Sequence, residues 1–131
     1  MSTPEGHIEQ ATRFLEVAGL CRGGDSLVQA VVNAGLAAVN ACSAVCRAFG
    51  QDAIDGESRD EAPALLRHAC EGTRWEQDAA QQAPQLAGIL RVCPDCYRGE
   101  PEPCTRAVES VLEQVRDLIE WAARVVDDQS S

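Results

Sequence analysis

The sequence predicts an all-α fold, an up-and-down helical bundle of about five helices, of which four are long and one is short. Three segments carry apolar residues at three- and four-residue spacing, which is the pattern of a helix with one buried face. Two segments match the capping box that opens a helix, Ser58-Arg59-Asp60-Glu61 and Thr73-Arg74-Trp75-Glu76. Aromatic residues make up only 4 % of the chain, so its core must be aliphatic and alanine-rich, as in closely packed helices.

At 131 residues the chain has the length of one domain, and we expect residues 1–131 to form a single helical-bundle domain. The first helix should begin at Pro4, because proline is tolerated in a first turn, and should end near Arg22. Residues 27–49 are apolar around most of the helix circumference, which predicts the central helix. Gly50 should end that helix, since glycine is the commonest residue after a helix terminus.

A short third helix is predicted over residues 59–70, where the first capping box opens it and Gly72 ends it. The second capping box opens a fourth helix that continues through Leu90. Pro84 falls inside this fourth helix and should kink or split it, because proline removes one backbone donor.

The remaining segments are an irregular stretch and a last helix. Residues 93–103 are rich in proline and glycine, which predicts an irregular structure. From Cys104 onward the apolar residues follow a strong helical period, which predicts a long last helix. Residues 127–131 form an acidic end that should fray, because acidic side chains oppose the helix dipole at a C-terminus.

The charge of the chain limits its partners. The net charge is −10, from 21 acidic and 11 basic residues, and every base is an arginine, so lysine-dependent chemistry such as a Schiff base is excluded. An acidic surface does not neutralise phosphates, so we expect no direct binding to nucleic acid. The chain has no uninterrupted run of about 18 apolar residues and no signal-peptide pattern at its start, so we expect a cytoplasmic protein without membrane contact.

The seven cysteines are an odd number in a chain without an export signal, which favours reduced thiols over a disulfide framework. Cys93 and Cys96 are separated by two residues, and Cys104 follows eight residues later. Two thiolates at that spacing can share one zinc ion, and the third can close on it. The fourth ligand stays open, with Cys21, His68 and Cys70 as the candidates.

A second thiol pair, Cys42 and Cys46, lies one turn apart on the same face of the central helix. This spacing suits a soft ion such as Cu(I), and it resembles the Cys-x3-Cys pairs of helical bundles that store copper in the cytosol. The alternative is that the cysteines of both groups serve as small buried hydrophobic residues. We therefore expect no cofactor, and the alternative is that the cysteines bind zinc or copper.

No residue is predicted to be catalytic or to bind an organic cofactor. His7 and His68 are the only histidines, and neither has a nucleophile or an acid nearby in sequence to orient it. We expect His7 to be solvated and His68 to lie at the surface or cap a helix. Four acidic residues of the last helix are predicted to form a solvated face; they are Glu109, Glu113, Asp117 and Glu120.

The layout as a whole resembles the HEPN superfamily of small prokaryotic helical bundles. The matching features are an opening helix that ends at Gly-Gly-Asp25, an alanine-rich second helix over residues 26–49, the stretches 59–66 and 86–90, and a last helix from Ala107. The resemblance implies a helical bundle that forms a homodimer.

Catalytic HEPN proteins are ribonucleases whose motif is an arginine followed, after four to six residues, by a histidine. In this sequence the equivalent stretch begins at Arg91, and Cys96, Tyr97 and Arg98 stand where the histidine would be. The sequence therefore predicts a non-catalytic HEPN-like module that binds or regulates, with a protein partner or a second copy of itself. The alternative is a helical bundle that binds zinc or copper through cysteine thiolates.

Overall fold

The computed structural model describes residues 3–23, 27–55, 57–97 and 105–130, and their side chains except at residues 22–23, 92–97 and 105–107. Within these ranges it contains no strand, one 3₁₀ turn and five α-helices. The helices are α1 (Pro4–Gly23), α2 (Leu27–Ala48), α3 (Ala62–Cys70), α4 (Glu76–Tyr97) and α5 (Thr105–Ser130), and the 3₁₀ turn (Arg59–Glu61) precedes α3. The predicted all-α bundle of four long helices and one short one is confirmed.

Helix α2 is the centre of the bundle and packs against each of the other four helices. Small side chains make this possible, because they let neighbouring helix axes approach closely. Six alanines of α2 are fully buried; they are Ala30, Ala34, Ala37, Ala38, Ala41 and Ala44. By length and composition α2 is also apolar enough to cross a membrane, a test that the core helix of a bundle passes as well.

The connection after α2 is fixed by one buried hydrogen bond. The backbone N–H of Ile54 donates to Ser43 Oγ at 3.0 Å, and Ile54 itself is buried. Ser43 thereby satisfies a backbone group that would otherwise be buried without a partner. The contact holds residues 51–55 across α2 and brings the short helix α3 alongside its C-terminal half.

The helix ends predicted at Gly50, after α2, and at Gly72, after α3, are confirmed. Gly50 and Gly72 have φ angles of 79° and 76°, in the left-handed region that favours glycine after a helix. The second capping box is present in slightly shifted form. Thr73 Oγ1 accepts from the Trp75 N–H at 3.1 Å, while Glu76 Oε1 accepts from the Gly72 N–H at 3.3 Å.

The prediction of a capping box at Ser58-Arg59-Asp60-Glu61 is wrong. Ser58 forms no side-chain cap at the start of the 3₁₀ turn. Its hydroxyl donates to Asp55 Oδ1 at 2.6 Å and accepts from the Asp55 N–H at 3.3 Å. A nearby aspartate therefore competes successfully for the hydroxyl, a local contact that a four-residue pattern does not reveal.

Three predicted interruptions of the helices are absent. Helix α4 is not split at Pro84, and it extends to Tyr97. Residues 93–97 of the stretch 93–103, which is predicted to be irregular, are therefore helical, and residues 98–103 lie outside the described part of the chain. Pro84 and Ala80, one turn before it, are both exposed, so water can satisfy the Ala80 carbonyl that loses its intrahelical donor. Helix α5 does not fray at Asp127 but continues to Ser130.

The end of α5 is held by contacts with α1 and with Trp75, the residue before α4. The Trp75 indole N–H donates to Asp128 Oδ2 at 3.1 Å, and the Ser130 hydroxyl lies 3.1 Å from Glu5 Oε1. Trp75 also packs edge-to-face against Trp121, with ring centroids 6.4 Å apart. These contacts join distant parts of the chain, and they explain why the acidic terminus stays helical.

Candidate functional site

Three thiols meet where α2 packs on α3. Cys42 and Cys46 are buried on α2, with 0 % and 1 % of their surfaces exposed, and Cys70 is fully buried at the end of α3. Cys46 Sγ lies 3.9 Å from the Leu65 carbonyl oxygen, which accepts its weak hydrogen bond. The two sequence-predicted thiols of α2 are thus inside the core, and the structure adds Cys70 to them.

These thiols are held in their protonated form. Burial raises the pKa of Cys42 well above its ordinary value, and repulsion from Cys46 and Cys70 adds to that rise. Burial likewise raises the pKa of Cys46 to about 11 and that of Cys70 to about 12. Since the thiolate is the nucleophile and the metal ligand, the cluster is poorly reactive at neutral pH.

The part of the chain that the structure describes contains no group of three or more His, Cys, Asp or Glu residues that could hold a metal ion. His68, a candidate fourth ligand, lies at the surface with 65 % of its side chain exposed, and its Nδ1 is 3.3 Å from Glu71 Oε2. The side chains of Cys93, Cys96 and Cys104 lie outside the described residues. The backbone of the first two is helical within α4.

His7 does not have the solvated position expected for it. It is half-buried between α1 and α2, with its Nδ1 3.2 Å from Asn40 Oδ1. Because the Asn40 amide nitrogen already donates to the Leu36 carbonyl, its oxygen faces His7 as an acceptor. The other ring nitrogen, Nε2, is buried without a hydrogen-bond partner. His7 is therefore a packing residue of the α1–α2 contact.

Two open clefts share His68 as a wall. One has a volume of about 310 Å³ and lies between α3 and the start of α4; its polar lining residues are Arg67, His68, Glu71 and Glu76. The other, of about 290 Å³, reaches Cys46 from the segment after α2. Neither cleft pairs an activated nucleophile with a base, because the Cys46 thiol stays protonated and His68 is turned to Glu71.

Arg91, the first residue of the ribonuclease-like stretch, is exposed on α4. It lines a shallow cleft of about 170 Å³ with Asp60, Pro63, Ala87 and Leu90. No histidine is among these lining residues. The side chains of Cys96, Tyr97 and Arg98 lie outside the described part of the chain, so the prediction about the missing histidine rests on the sequence.

The α1–α2 hairpin carries an uncharged surface that sequence reasoning did not identify. Of the 22 residues of α2, only Arg47 is charged. Eight residues at helical spacing form what we call the neutral face; they are His7, Gln10, Phe14 and Val17 on α1, and Gln29, Asn33, Leu36 and Asn40 on α2. Each of them is exposed or half-buried, and the His7–Asn40 contact joins the two strips.

Two large apolar side chains of α1 are exposed, Val17 within the neutral face and Leu20 beside it. Val17 is 42 % exposed and Leu20, one turn further along α1, is 76 % exposed. The exposed side of α5 differs, because the four acidic residues predicted to be solvated there are all exposed, together with Arg116 and Arg124. The sequence carries the signal for the neutral face in residues 26–46, a run of 21 residues without charge, which predicts the central helix but not which of its sides stays open.

Comparison with known proteins gives no assignment. No family model matches the chain, and no curated protein or solved structure is significantly similar to it.

Proposed function

We propose that this chain is a non-catalytic, HEPN-like helical-bundle module of the cytoplasm, and that the neutral face is its binding surface. The observation that carries the proposal is the contrast between this face and the rest of the molecule. A chain with a net charge of −10 keeps the eight positions of the neutral face free of acidic residues and arginines, with Arg13 of α1 and Arg47 of α2 at its edges. Protein interfaces are depleted of charged residues at their centres, whereas solvated surfaces are not.

The composition of the neutral face suits a protein partner. Its apolar residues, Val17 among them, and the neighbouring Leu20 supply apolar area whose removal from water is favourable. On α2 the exposed Gln29 amide and the Asn33 amide oxygen can form hydrogen bonds across an interface, whereas both polar atoms of the Asn40 amide are engaged within the chain. A lipid surface would leave these amides unsatisfied, and a nucleic acid would find no cation on this face.

The described residues also favour a non-catalytic role. His7 is engaged with Asn40, His68 with Glu71, and the buried thiols have raised pKa values. Hydrolysis of a phosphodiester requires a group that moves protons near neutral pH. Labelled RNA incubated with wild-type and Arg91→Ala protein should stay intact in both cases. Cleavage by the first and not by the second would overturn the non-catalytic part of the proposal.

The binding surface can be tested by photo-cross-linking in cells that produce the protein. A photoreactive amino acid at position 33 samples the neutral face, and the same amino acid at position 117 samples the exposed acidic face of α5. We expect a defined adduct from position 33 and none from position 117. Equal adducts at both positions, or none at position 33, would contradict the proposal.

Thiolate binding of zinc or copper is the alternative function. No set of described ligands favours it, and Cys93, Cys96 and Cys104 lie outside the described side chains. Elemental analysis of protein purified under reducing conditions tests it directly. A stoichiometric metal content, together with a fall in melting temperature on chelation, would favour the alternative over the binding module.

A further inference from the structure

We infer that the partner of the neutral face is an amphipathic helix of another protein, in which carboxylates flank a strip of apolar side chains. The inference rests on the proposed binding role of this face and names the chemistry of its partner. Three observations support it: two arginines without ion pairs at the edges of the face, unsatisfied buried nitrogen atoms toward one end of it, and apolar side chains within it that are not fully buried.

Two arginines lie at the edges of the neutral face. Arg13 of α1 is exposed, and it follows Gln10 by three residues and precedes Val17 by four, so it lies beside both on the helix surface. Arg47 of α2 is half-buried and follows Asn40 by seven residues, which is nearly two full turns along the same side of the helix. Each of the two strips of the face therefore has a cationic residue at its edge.

Neither arginine forms an ion pair with a residue that the structure describes. Arg74 provides the contrast, because its Nη1 lies 3.3 Å from Asp128 Oδ1. Arg47 is the only charged residue of α2, so its own helix offers it no carboxylate. Although the chain has 21 acidic residues, these two guanidinium groups are left for a carboxylate of another molecule.

The end of the face near Arg47 also contains unsatisfied nitrogen atoms. Arg47 Nε and His7 Nε2 are buried without a hydrogen-bond partner, and they are two of the three such side-chain atoms in the described part of the chain. His7 contacts Asn40, which precedes Arg47 on the same side of α2. Buried polar groups in native proteins are rarely left unpaired. The Arg47 Nε–H is a donor, and a partner's carboxylate is the kind of acceptor that it lacks.

The neutral face also offers apolar area, since Phe14 and Leu36 are half-buried and Val17 is 42 % exposed. A partner helix with apolar residues at helical spacing can cover these side chains and satisfies its own backbone groups. An extended segment would not, because the interiors of α1 and α2 have no free backbone donors to offer it. The net charge of −10 repels acidic residues elsewhere on the partner, so we expect its carboxylates opposite Arg13 and Arg47.

Two synthetic amphipathic peptides test the inference. Both carry leucines at helical spacing on one side, and the flanking positions are glutamates in one peptide and lysines in the other. Each is titrated into the isotope-labelled full chain, where backbone amide shifts report the affinity and the surface that binds. The glutamate peptide should shift the amide signals of α1 and α2 around Val17, Asn33 and Arg47. The lysine peptide should instead shift signals of α5, whose exposed side is mainly acidic.

Charge reversal provides matched variants. Arg47→Glu should weaken binding of the glutamate peptide about tenfold or more, and the lysine peptide should bind this face of the variant better. Arg47→Gln removes the charge with a smaller change in shape and should also weaken the glutamate peptide, so the outcome does not depend on how well the reversed variant folds. Arg124→Glu makes the same reversal on the exposed side of α5 and should leave binding of the glutamate peptide unchanged. Circular dichroism checks that the helices of every variant are intact.

Two results would overturn the inference: a glutamate peptide that binds the α1–α2 side no better than the lysine peptide does, or Arg47 variants that bind the glutamate peptide like wild type. Failure of the inference is distinguishable from failure of the binding module, because photo-cross-linking from position 33 in cells does not use the peptides. An adduct from position 33 that is equally strong in the Arg47→Glu protein would retain the binding surface and exclude an acidic segment as its partner.

Discussion

The contact between α4 and α5 and the contact between α1 and α2 differ in how they treat polar and apolar side chains. At the first, the indole N–H groups of Trp75 and Trp121 donate to Asp128 and Asp78, at 3.1 and 3.3 Å. The Arg74 guanidinium lies 4.9 Å from the centre of the Trp75 ring, and its Nη1 is 3.3 Å from Asp128 Oδ1. The polar groups of this contact find their partners within the chain.

The α1–α2 contact is less complete. His7 Nδ1 lies 3.2 Å from Asn40 Oδ1, but His7 Nε2 is buried without a partner, and Val17 and Leu20 are exposed, the first within the neutral face and the second beside it. Buried polar groups in native proteins are rarely left unpaired, and exposed apolar patches commonly mark interaction surfaces. The comparison teaches that the polar groups between α4 and α5 are satisfied within one chain. The α1–α2 side instead has the features of a surface that another molecule covers.

The largest expected effect on stability concerns the contact between α4 and α5. Trp121 is almost fully buried and packs against Trp75. Trp121→Ala should lower the free energy of unfolding by about 3–5 kcal/mol, because it leaves a cavity and removes a buried aromatic contact. Urea unfolding followed by circular dichroism measures the change. A loss below about 1 kcal/mol would show that this contact does not hold the bundle together.

Alkaline pH should lower the free energy of unfolding through the buried thiols of Cys46 and Cys70. The folded-state pKa values of Cys46 and Cys70, about 11 and about 12, lie above the ordinary value of 9.0. Above pH 9 the unfolded chain therefore loses these protons first, and stability falls as pH rises toward the folded-state values. Urea unfolding between pH 7 and the alkaline range should show this decline. The Cys46→Ala/Cys70→Ala protein should decline less, and an equal decline would assign the effect to other groups.

A smaller loss is expected for Asp128→Ala. The substitution removes the acceptor of the Trp75 indole and the ion-pair partner of Arg74. The free energy of unfolding should fall by about 1–2 kcal/mol, mostly through the unsatisfied indole N–H. Asp117→Ala, at an exposed position of the same helix, is the control and should stay within about 0.5 kcal/mol of wild type. Equal effects at both positions would remove the distinction between them.

The smallest expected effect on stability is that of a substitution on the α1–α2 side. Leu20→Gln should change the free energy of unfolding of the monomer by less than about 0.5 kcal/mol, because Leu20 is 76 % exposed. Thermal melting of dilute protein provides the measurement. A clear destabilisation would mean that Leu20 packs within its own chain, which would weaken the case for an open apolar surface.

Much of the fold could be predicted from the sequence because its signals are local. The apolar period of α2 and the glycines Gly50 and Gly72 act within one or two helical turns, and the structure agrees with them. The errors arose where distant or competing contacts decide. The end of α5 stays helical because of Trp75 and Glu5, which lie more than 50 residues away in sequence.

The candidate site was predicted less well, for a related reason. The Cys42–Cys46 spacing placed two thiols on one face of a helix, but only the packing of α3 shows that Cys70 joins them in the core. The neutral face is a property of two helices side by side, and it becomes visible only when the His7–Asn40 contact fixes their alignment. A helical period cannot separate the part of an apolar helix that faces the core from the part that stays open.

The most direct test of the difference between the two sides is the response of backbone amide chemical shifts in the wild-type protein to the glutamate peptide. If the neutral face is the binding surface, the peptide should shift the amide signals of α1 and α2 around Val17, Asn33 and Leu36. The signals of Trp121 and Asp128 should stay constant. Shifts confined to α4 and α5, or spectra that do not change as the peptide is added, would contradict the account.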